Sequence, residues 1–182
     1  MALTHYPVIN RNGQLISSAV TNLDLHDLSR SAKTYGVRTF YVVTPLLDQK
    51  GLIEKIVSHW TNGIGSKLNP SRRKALELIK IKTSLDEVNE DILKKCKIPP
   101  KTVVTCARDK YSNFTISEFS KKLQTGNPYL LIFGTAWGLS EELILKADHV
   151  LEPIMGSADY NHLSVRSASA VILDRLSGKR KE

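Results

Sequence analysis

Six consecutive residues, Pro128-Tyr-Leu-Leu-Ile-Phe133, carry no charge and have the length of a buried strand. A strand apolar at every position is covered on both faces, as in the middle of a parallel sheet. Downstream, Gly134-Thr-Ala-Trp-Gly138 reads as a loop. Ser140, with Glu141 and Glu142, then opens a helix, where acids favour the positive end of the dipole. His149-Val-Leu151 is a short strand, and a last helix runs from about Leu163 to Leu176. Upstream, Pro99-Pro100 breaks the chain before the strand Thr102–Thr105, and Thr115 or Ser117 caps a helix to about Leu123. Nearer the start, Leu25, Leu28 and Ala32 share a helical face that Gly36 can end. Val37–Val43 is β-branched and aromatic, hence a strand. Leu52, Ile53, Ile56, Val57 and Trp60 mark a helix ended by Asn62-Gly63. Leu76, Ile79 and Ile81 suggest a strand over residues 75–82. Ser84, with Glu87 three residues on, begins a helix to about Cys96.

The order is β-α-β-α-β-α-β-α-β-α-β-α. It implies an α/β fold, a mostly parallel sheet with helices on both faces. Ligands of such sheets gather at the carboxyl ends of the strands. The loops after Thr105, Phe133 and Leu151 are therefore the first places to look. No repeat or linker divides the 182 residues, which read as a single domain over 1–182.

Apolar residues make up 41% and charged residues 24%, a globular balance that excludes fibrous and wholly disordered classes. No run approaches the roughly 20 apolar residues of a membrane span, so no membrane partner is expected. Met1–Asn10 shows neither a positive nor an apolar stretch, and no secretory signal is expected. Cys96 and Cys106 are the two cysteines, sparing use that fits a reducing cytoplasm. Lys plus Arg is 26 against 18 for Asp plus Glu, a balance of +8. Lys67, Arg72, Arg73, Lys74, Lys80 and Lys82 form one basic group. Lys94, Lys95, Lys97 and Lys101 form a second, and Lys179, Arg180 and Lys181 a third. Such groups can neutralise phosphates, although a solvated cationic surface has the same composition.

Most familiar chemistries are absent. There is no GxxxxGK[ST] loop, HExxH or GxSxG, and Gly63-Ile64-Gly65 lacks the third glycine of a dinucleotide fingerprint. His5, His26, His59, His149 and His162 show no metal-ligand spacing, and no metal is expected. His59 beside Trp60 reads as packing or surface, and His149 as structural. His162 stands out in the polar turn Asp159-Tyr-Asn-His-Leu-Ser164.

Three stretches in series resemble the SPOUT superfamily of RNA methyltransferases. Tyr129-Leu-Leu-Ile-Phe-Gly-Thr-Ala-Trp-Gly-Leu-Ser-Glu-Glu-Leu143 is similar to the family's strand, glycine loop and helix. Ala147-Asp-His-Val-Leu-Glu-Pro-Ile154 is similar to its short strand and Ile-Pro-like turn. Tyr160-Asn-His-Leu-Ser-Val-Arg-Ser-Ala-Ser-Ala-Val-Ile-Leu-Asp174 resembles its polar turn entering a small-residue helix. Near the start, Asp24-Leu-His-Asp-Leu-Ser-Arg30 resembles an Asn-x5-Arg motif, with Asp24 replacing the asparagine.

The resemblance implies S-adenosylmethionine as cofactor, a deep C-terminal trefoil knot and a homodimer paired across the site. Transferred residue by residue, it implies cofactor contacts from Thr105, Ile132, Phe133, Gly134, Thr135, Trp137, Gly138, Leu151, Pro153, Ile154, Tyr160, His162, Leu163 and Ser164. It makes Arg30, Asn161, His162 and Arg166 the candidate catalytic residues, and Arg108 a candidate RNA contact. The implied reaction is methylation of a tRNA or rRNA nucleotide, at a base nitrogen or a ribose hydroxyl. The ribose-methylating branch has Gly-Asn-Glu where this chain has Gly134-Thr135-Ala136, and asparagine where it has His162. With no evident extra RNA-binding domain, an accessory RNA-binding partner is also in view. A catalytically inactive cofactor- or RNA-binding dimer is the alternative, and a flavodoxin-like nucleotide binder would explain the strand order but not the three motifs.

Overall fold

The computed structural model describes residues 1–158 and 160–178. Lys179, Arg180 and Lys181, and Asp159 of the polar turn, lie outside the described residues. The elements run β1 (Ala2–Thr4), β2 (Val8–Ile9), β3 (Leu15–Ile16), α1 (Asn22–Thr34), β4 (Phe40–Val43), α2 (Leu47–Thr61), α3 (Ile64–Leu68), α4 (Pro70–Leu76), β5 (Ile79–Lys82), α5 (Leu85–Cys96), β6 (Lys101–Thr105), α6 (Ile116–Leu123), β7 (Tyr129–Gly134), α7 (Glu141–Lys146), β8 (His149–Leu151) and α8 (Val165–Ser177).

Six strands form one sheet in the order β5-β4-β1-β7-β6-β8, and each neighbouring pair is parallel. β7, the apolar run, lies between β1 and β6. Its side chains divide with the two-residue period of a strand. Leu131 and Phe133 join Leu3, Phe40, Val42 and Val103 on one face, under Leu25 and Leu28 of α1, Ile53 of α2, Phe119 of α6 and Ile172 and Leu173 of α8. Leu130 and Ile132 join Ala2, Tyr41, Val43, Val104 and Val150 on the other, under Val88 of α5 and Ile144 of α7. Each fully buried Leu, Ile or Phe here contributes about 1.5–3 kcal/mol.

The opening strand of the expected order is β1, to which the sequence pattern assigned no residues. Ala2-Leu-Thr4 is too short to display a period, yet it is fully buried between β4 and β7. The expected strand over 75–82 starts later, at Ile79. Asn69 caps α4, its side-chain oxygen accepting from Arg72 N–H at 2.9 Å, and Pro70 sits in the first turn, so Leu76 belongs to a helix. β2 and β3 form an antiparallel hairpin that the pattern did not show.

Thr115, not Ser117, caps α6, in a complete capping box with Glu118. Ser140 caps α7 as expected. Ser84 caps α5, but Glu87 turns its carboxylate to Thr83, accepting from the Thr83 N–H at 2.9 Å. Gly36, at φ 72°, ends α1 in the left-handed conformation that glycine adopts without strain.

The strand order places the site. From β1 the chain moves to β4 and β5 on one side, whereas β7 leads to β8 on the other. Connections leaving β1 and β7 therefore diverge, and a crevice opens at their carboxyl ends.

Candidate functional site

A cavity of about 910 Å³ occupies that crevice. Three of its walls are the loops after β6, β7 and β8, and the entry to α8 closes it. The β2–β3 hairpin, the segment that follows it and the start of α1 form the remaining wall.

The loop after β7 folds back tightly on itself. A Cβ added to Gly134 would lie 2.8 Å from Leu139 Cδ2 and 2.9 Å from its backbone nitrogen, so only glycine permits this approach. Gly138, at φ 106°, completes the turn and donates its N–H to the Thr135 carbonyl at 2.9 Å. The hairpin holds the loop from outside: Trp137 N–H donates to Ile9 O at 3.1 Å, and Ile9 N–H donates to Gly138 O at 3.0 Å. Trp137 is thereby 61% exposed at the cavity, not in the core.

On the β6 side, Thr105, Cys106, Ala107 and Arg108 line the cavity. Asn161 Nδ2 donates to Ala107 O at 3.2 Å, joining the polar turn to this loop. From β8, Glu152, Pro153 and Ile154 contribute. Glu152 accepts from the Ile116 N–H at 2.7 Å, which ties its carboxylate to the start of α6. Ser164 caps α8, accepting from Ser167 N–H at 3.2 Å.

The N-terminal wall holds a hydrogen-bonded row. His5 Nδ1 lies 2.9 Å from Ser18 Oγ, which lies 2.5 Å from Thr135 Oγ1, and Thr135 donates to Thr4 O at 3.2 Å. His5 is fully buried, and burial pushes its imidazole down to about 4. Asp24 also lines the cavity; it accepts from Thr21 Oγ1 at 2.7 Å and lies 3.4 Å from Arg166 Nε.

Of the residues singled out from sequence, Thr105, Phe133, Gly134, Thr135, Trp137, Gly138, Pro153, Ile154, Asn161, His162, Leu163 and Ser164 meet at this cavity, as does Arg108. Five do not. Ile132 alternates onto the opposite face of β7 and is buried there; only its carbonyl faces Thr105, whose hydroxyl donates to it at 3.1 Å. Leu151 is wholly in the core beneath the cavity. Tyr160 is 74% exposed and meets His162 edge-on. Arg30 lies on the exposed side of α1, turned away from buried Leu25, Leu28 and Ala32. Arg166 is held between Asp24 and Asp27, at 3.4 and 3.5 Å.

Sequence reasoning passed over Arg11 and Ser18, since no motif covers residues 9–19. The basic groups are less free than their composition implied. Arg73 pairs with Glu77 at 2.8 Å, Lys95 with Asp91 at 2.5 Å and Lys101 with Asp148 at 2.8 Å. Arg72 instead stacks over Trp60, 4.5 Å from the ring centre. His149 stacks on Phe114 at 4.1 Å, the structural part expected of it. Among the described residues no helix is long and apolar enough to cross a membrane.

Fold and cavity together define an α/β protein with room for a nucleoside-sized ligand at a switch point in its sheet. The family follows from comparison. Residues 1–178 match the family model described as SAM-dependent RNA methyltransferase, and the chain belongs to that family. The family's cofactor is S-adenosylmethionine. A tRNA (guanine-N(1)-)-methyltransferase of Oleidesulfovibrio alaskensis is 38% identical over 177 residues, covering 97% of this chain and 41% of that protein. The chain thus spans about two-fifths of the length of that curated relative. An uncharacterised protein of Aquifex aeolicus is 37% identical over 182 residues, covering 100% of this chain and 89% of that one. Among solved structures, the SpoU methyltransferase AviRb from Streptomyces viridochromogenes, in complex with AdoMet, matches with a TM-score of 0.55 at 17% identity. The match covers 97% of this chain and 56% of that one and is a likeness of fold.

Proposed function

We propose that this chain transfers the methyl group of S-adenosylmethionine to a nucleotide of tRNA, holding the cofactor in the cavity at the ends of β6, β7 and β8. The convergence of the three motif loops on one cavity carries the proposal. The residues present fit the cofactor. Gly134 brings backbone where a side chain would obstruct. Pro153, Ile154 and Leu163 offer apolar surface for an adenine, and Arg11 and Arg108 supply cations for a carboxylate or phosphate. Bound there, the cofactor supplies an already activated methyl group. The chain's own tasks are alignment of the acceptor and removal of its proton. His162 and Asn161, both at the cavity, are the residues assigned to those tasks.

A base nitrogen is the preferred acceptor. The departures from the ribose-branch pattern favour it, as does the guanine-N1 activity in the relative's name. That name describes a protein of which more than half lies outside the match. Arg30 is exposed and does not line the cavity of its own chain, so a part in the reaction would have a second copy of the chain carry it across. The proposal accordingly includes a homodimer. The deep trefoil knot belongs to the same reading. From β8, at the sheet edge, the chain doubles back past the β6 loop, where Asn161 bonds Ala107, before α8 packs on α1.

The test combines calorimetry with S-adenosylmethionine and a tritium-methyl transfer assay on total RNA. Binding followed by label in tRNA is expected, and mass spectrometry of nucleosides would identify a methylated base. Binding without label in any RNA would refute transfer, and absence of binding would refute the cofactor assignment.

A further inference from the structure

The Thr4 carbonyl can only accept a hydrogen bond, so Thr135 must donate to it across the 3.2 Å contact. Thr135 has one hydroxyl hydrogen and therefore accepts from Ser18 at 2.5 Å. Ser18 is then committed as donor and must accept from His5 Nδ1–H at 2.9 Å. Every hydrogen in the row is placed: His5 to Ser18, Ser18 to Thr135, Thr135 to Thr4. The imidazole is the neutral Nδ1–H tautomer, and its Nε2 is buried without a partner. Burial keeps His5 neutral down to about pH 4, so the direction of the row persists at physiological pH.

Two of these atoms belong to residues of the cavity wall. Ser18 Oγ and Thr135 Oγ1 each retain one lone pair, and neither has a hydrogen left to offer a ligand. The wall is consequently an acceptor of hydrogen bonds at this point. Asp24, with a side chain 13% exposed and 3.4 Å from Arg166, adds a carboxylate to the same wall, in a cavity that also holds Arg11 and Arg108.

We infer that the Ser18–Thr135 wall is a subsite for a cationic centre of the ligand. Resting on the cofactor reading above, that centre is the sulfonium or the α-ammonium of S-adenosylmethionine. An ammonium would donate N–H bonds to the paired oxygens. A sulfonium would set the polarised C–H bonds of the carbons around its sulfur against them, a weaker contact of the C–H···O kind that leaves the methyl group open to the acceptor.

Calorimetry on the full chain with three ligands tests this. S-adenosylmethionine has both cationic centres, S-adenosylhomocysteine has the ammonium alone, and 5′-methylthioadenosine has neither. Thr135→Val is expected to weaken S-adenosylmethionine about tenfold while leaving 5′-methylthioadenosine within about twofold. Thr135→Ser should restore the parent values. A loss confined to S-adenosylmethionine assigns the sulfonium, and a loss shared with S-adenosylhomocysteine assigns the ammonium; either supports the subsite. Should Thr135→Val fail to fold, Ser18→Ala, which removes a single oxygen from the wall, gives the same reading. Equal weakening of all three ligands, or no change in any, would overturn the inference while the cofactor reading stands. Failure of the parent protein to bind any of the three would overturn that reading and this one together.

Discussion

His5 couples the stability of the fold to mildly acid pH. Burial holds its folded imidazole at about 4, against 6.5 for the free side chain. Between those values the unfolded chain binds a proton that the folded chain refuses, so stability falls as pH drops through this window. One pH unit corresponds to about 1.4 kcal/mol, and the full window to on the order of 3 kcal/mol. Below about pH 4 the loss from this group levels off. His5→Asn is the informative perturbation, because it can place an N–H donor near the position of Nδ1 and does not titrate. It should cost on the order of 1 kcal/mol at neutral pH through lost volume. Urea denaturation of both proteins at about pH 7 and about pH 4.5 measures the difference. The parent should lose about 2–3 kcal/mol more than the variant over that interval. The buried Met1 amine, lowered to about 5, titrates in an overlapping range. Hydrogen-bonded carboxylates such as Asp148, lowered to about 2, respond at lower pH. Both contributions are common to the two proteins and cancel in the comparison. Equal losses in parent and variant would refute the assignment of a neutral, buried His5.

Gly134→Ala should lower S-adenosylmethionine affinity by tenfold or more in calorimetry, because the new methyl group meets the Leu139 backbone nitrogen at 2.9 Å and the loop must shift. Asp148→Ala should destabilise the fold by on the order of 2 kcal/mol in urea, since its carboxylate accepts from Thr102 N–H at 2.9 Å, Thr102 Oγ1 at 2.8 Å and Lys101 at 2.8 Å. Asp148 precedes β8, at the end of the sheet opposite the cavity, so its replacement should leave cofactor affinity unchanged. Trp137→Ala should change stability by less than about 0.5 kcal/mol, as expected of an exposed side chain. The same change should weaken single-stranded RNA about fivefold or more in fluorescence anisotropy, through a lost stacking surface.

Much of the architecture was legible because local and tertiary requirements coincide. Tyr129–Phe133 has a strand's composition and occupies a position covered on both faces, so one pattern reports both facts. β1 has the same covered position but only three residues, and a three-residue pattern does not distinguish strand from coil. Residues 75–78 read as part of a strand because Leu76 aligned with Ile79 and Ile81; the Asn69 cap and Pro70 were the overlooked signals. At the site, the motif loops identified the cavity, whereas alternation along the strand decided which neighbour faces it. Ile132 and Phe133 adjoin in sequence and lie on opposite sides of the sheet. Ser18 could not be found this way. Its partner Thr135 is 117 residues distant, and the meaning of its hydroxyl comes entirely from that contact.

The catalytic candidates divide along the same line. His162 and Asn161 sit in a turn that β8 and α8 deliver to the cavity, so local sequence sufficed to place them. Arg30 was singled out by its match to the Asn-x5-Arg motif and Arg166 by its place in the last motif, but a motif match does not specify which way a side chain turns. Arg166 is engaged by two carboxylates of α1, an arrangement that fixes α8 against α1 beside the cavity wall. Neutralising Asp27 would release one of those contacts without touching the cavity. Loss of both Asp24 and Asp27 would leave an uncompensated guanidinium next to the proposed cation subsite. Asp27→Asn should therefore weaken S-adenosylmethionine only slightly, and Asp24→Asn combined with Asp27→Asn by much more than the two single changes added, since the contacts share one partner. Simple additivity in that double-mutant cycle would show that Arg166 does not link the two carboxylates.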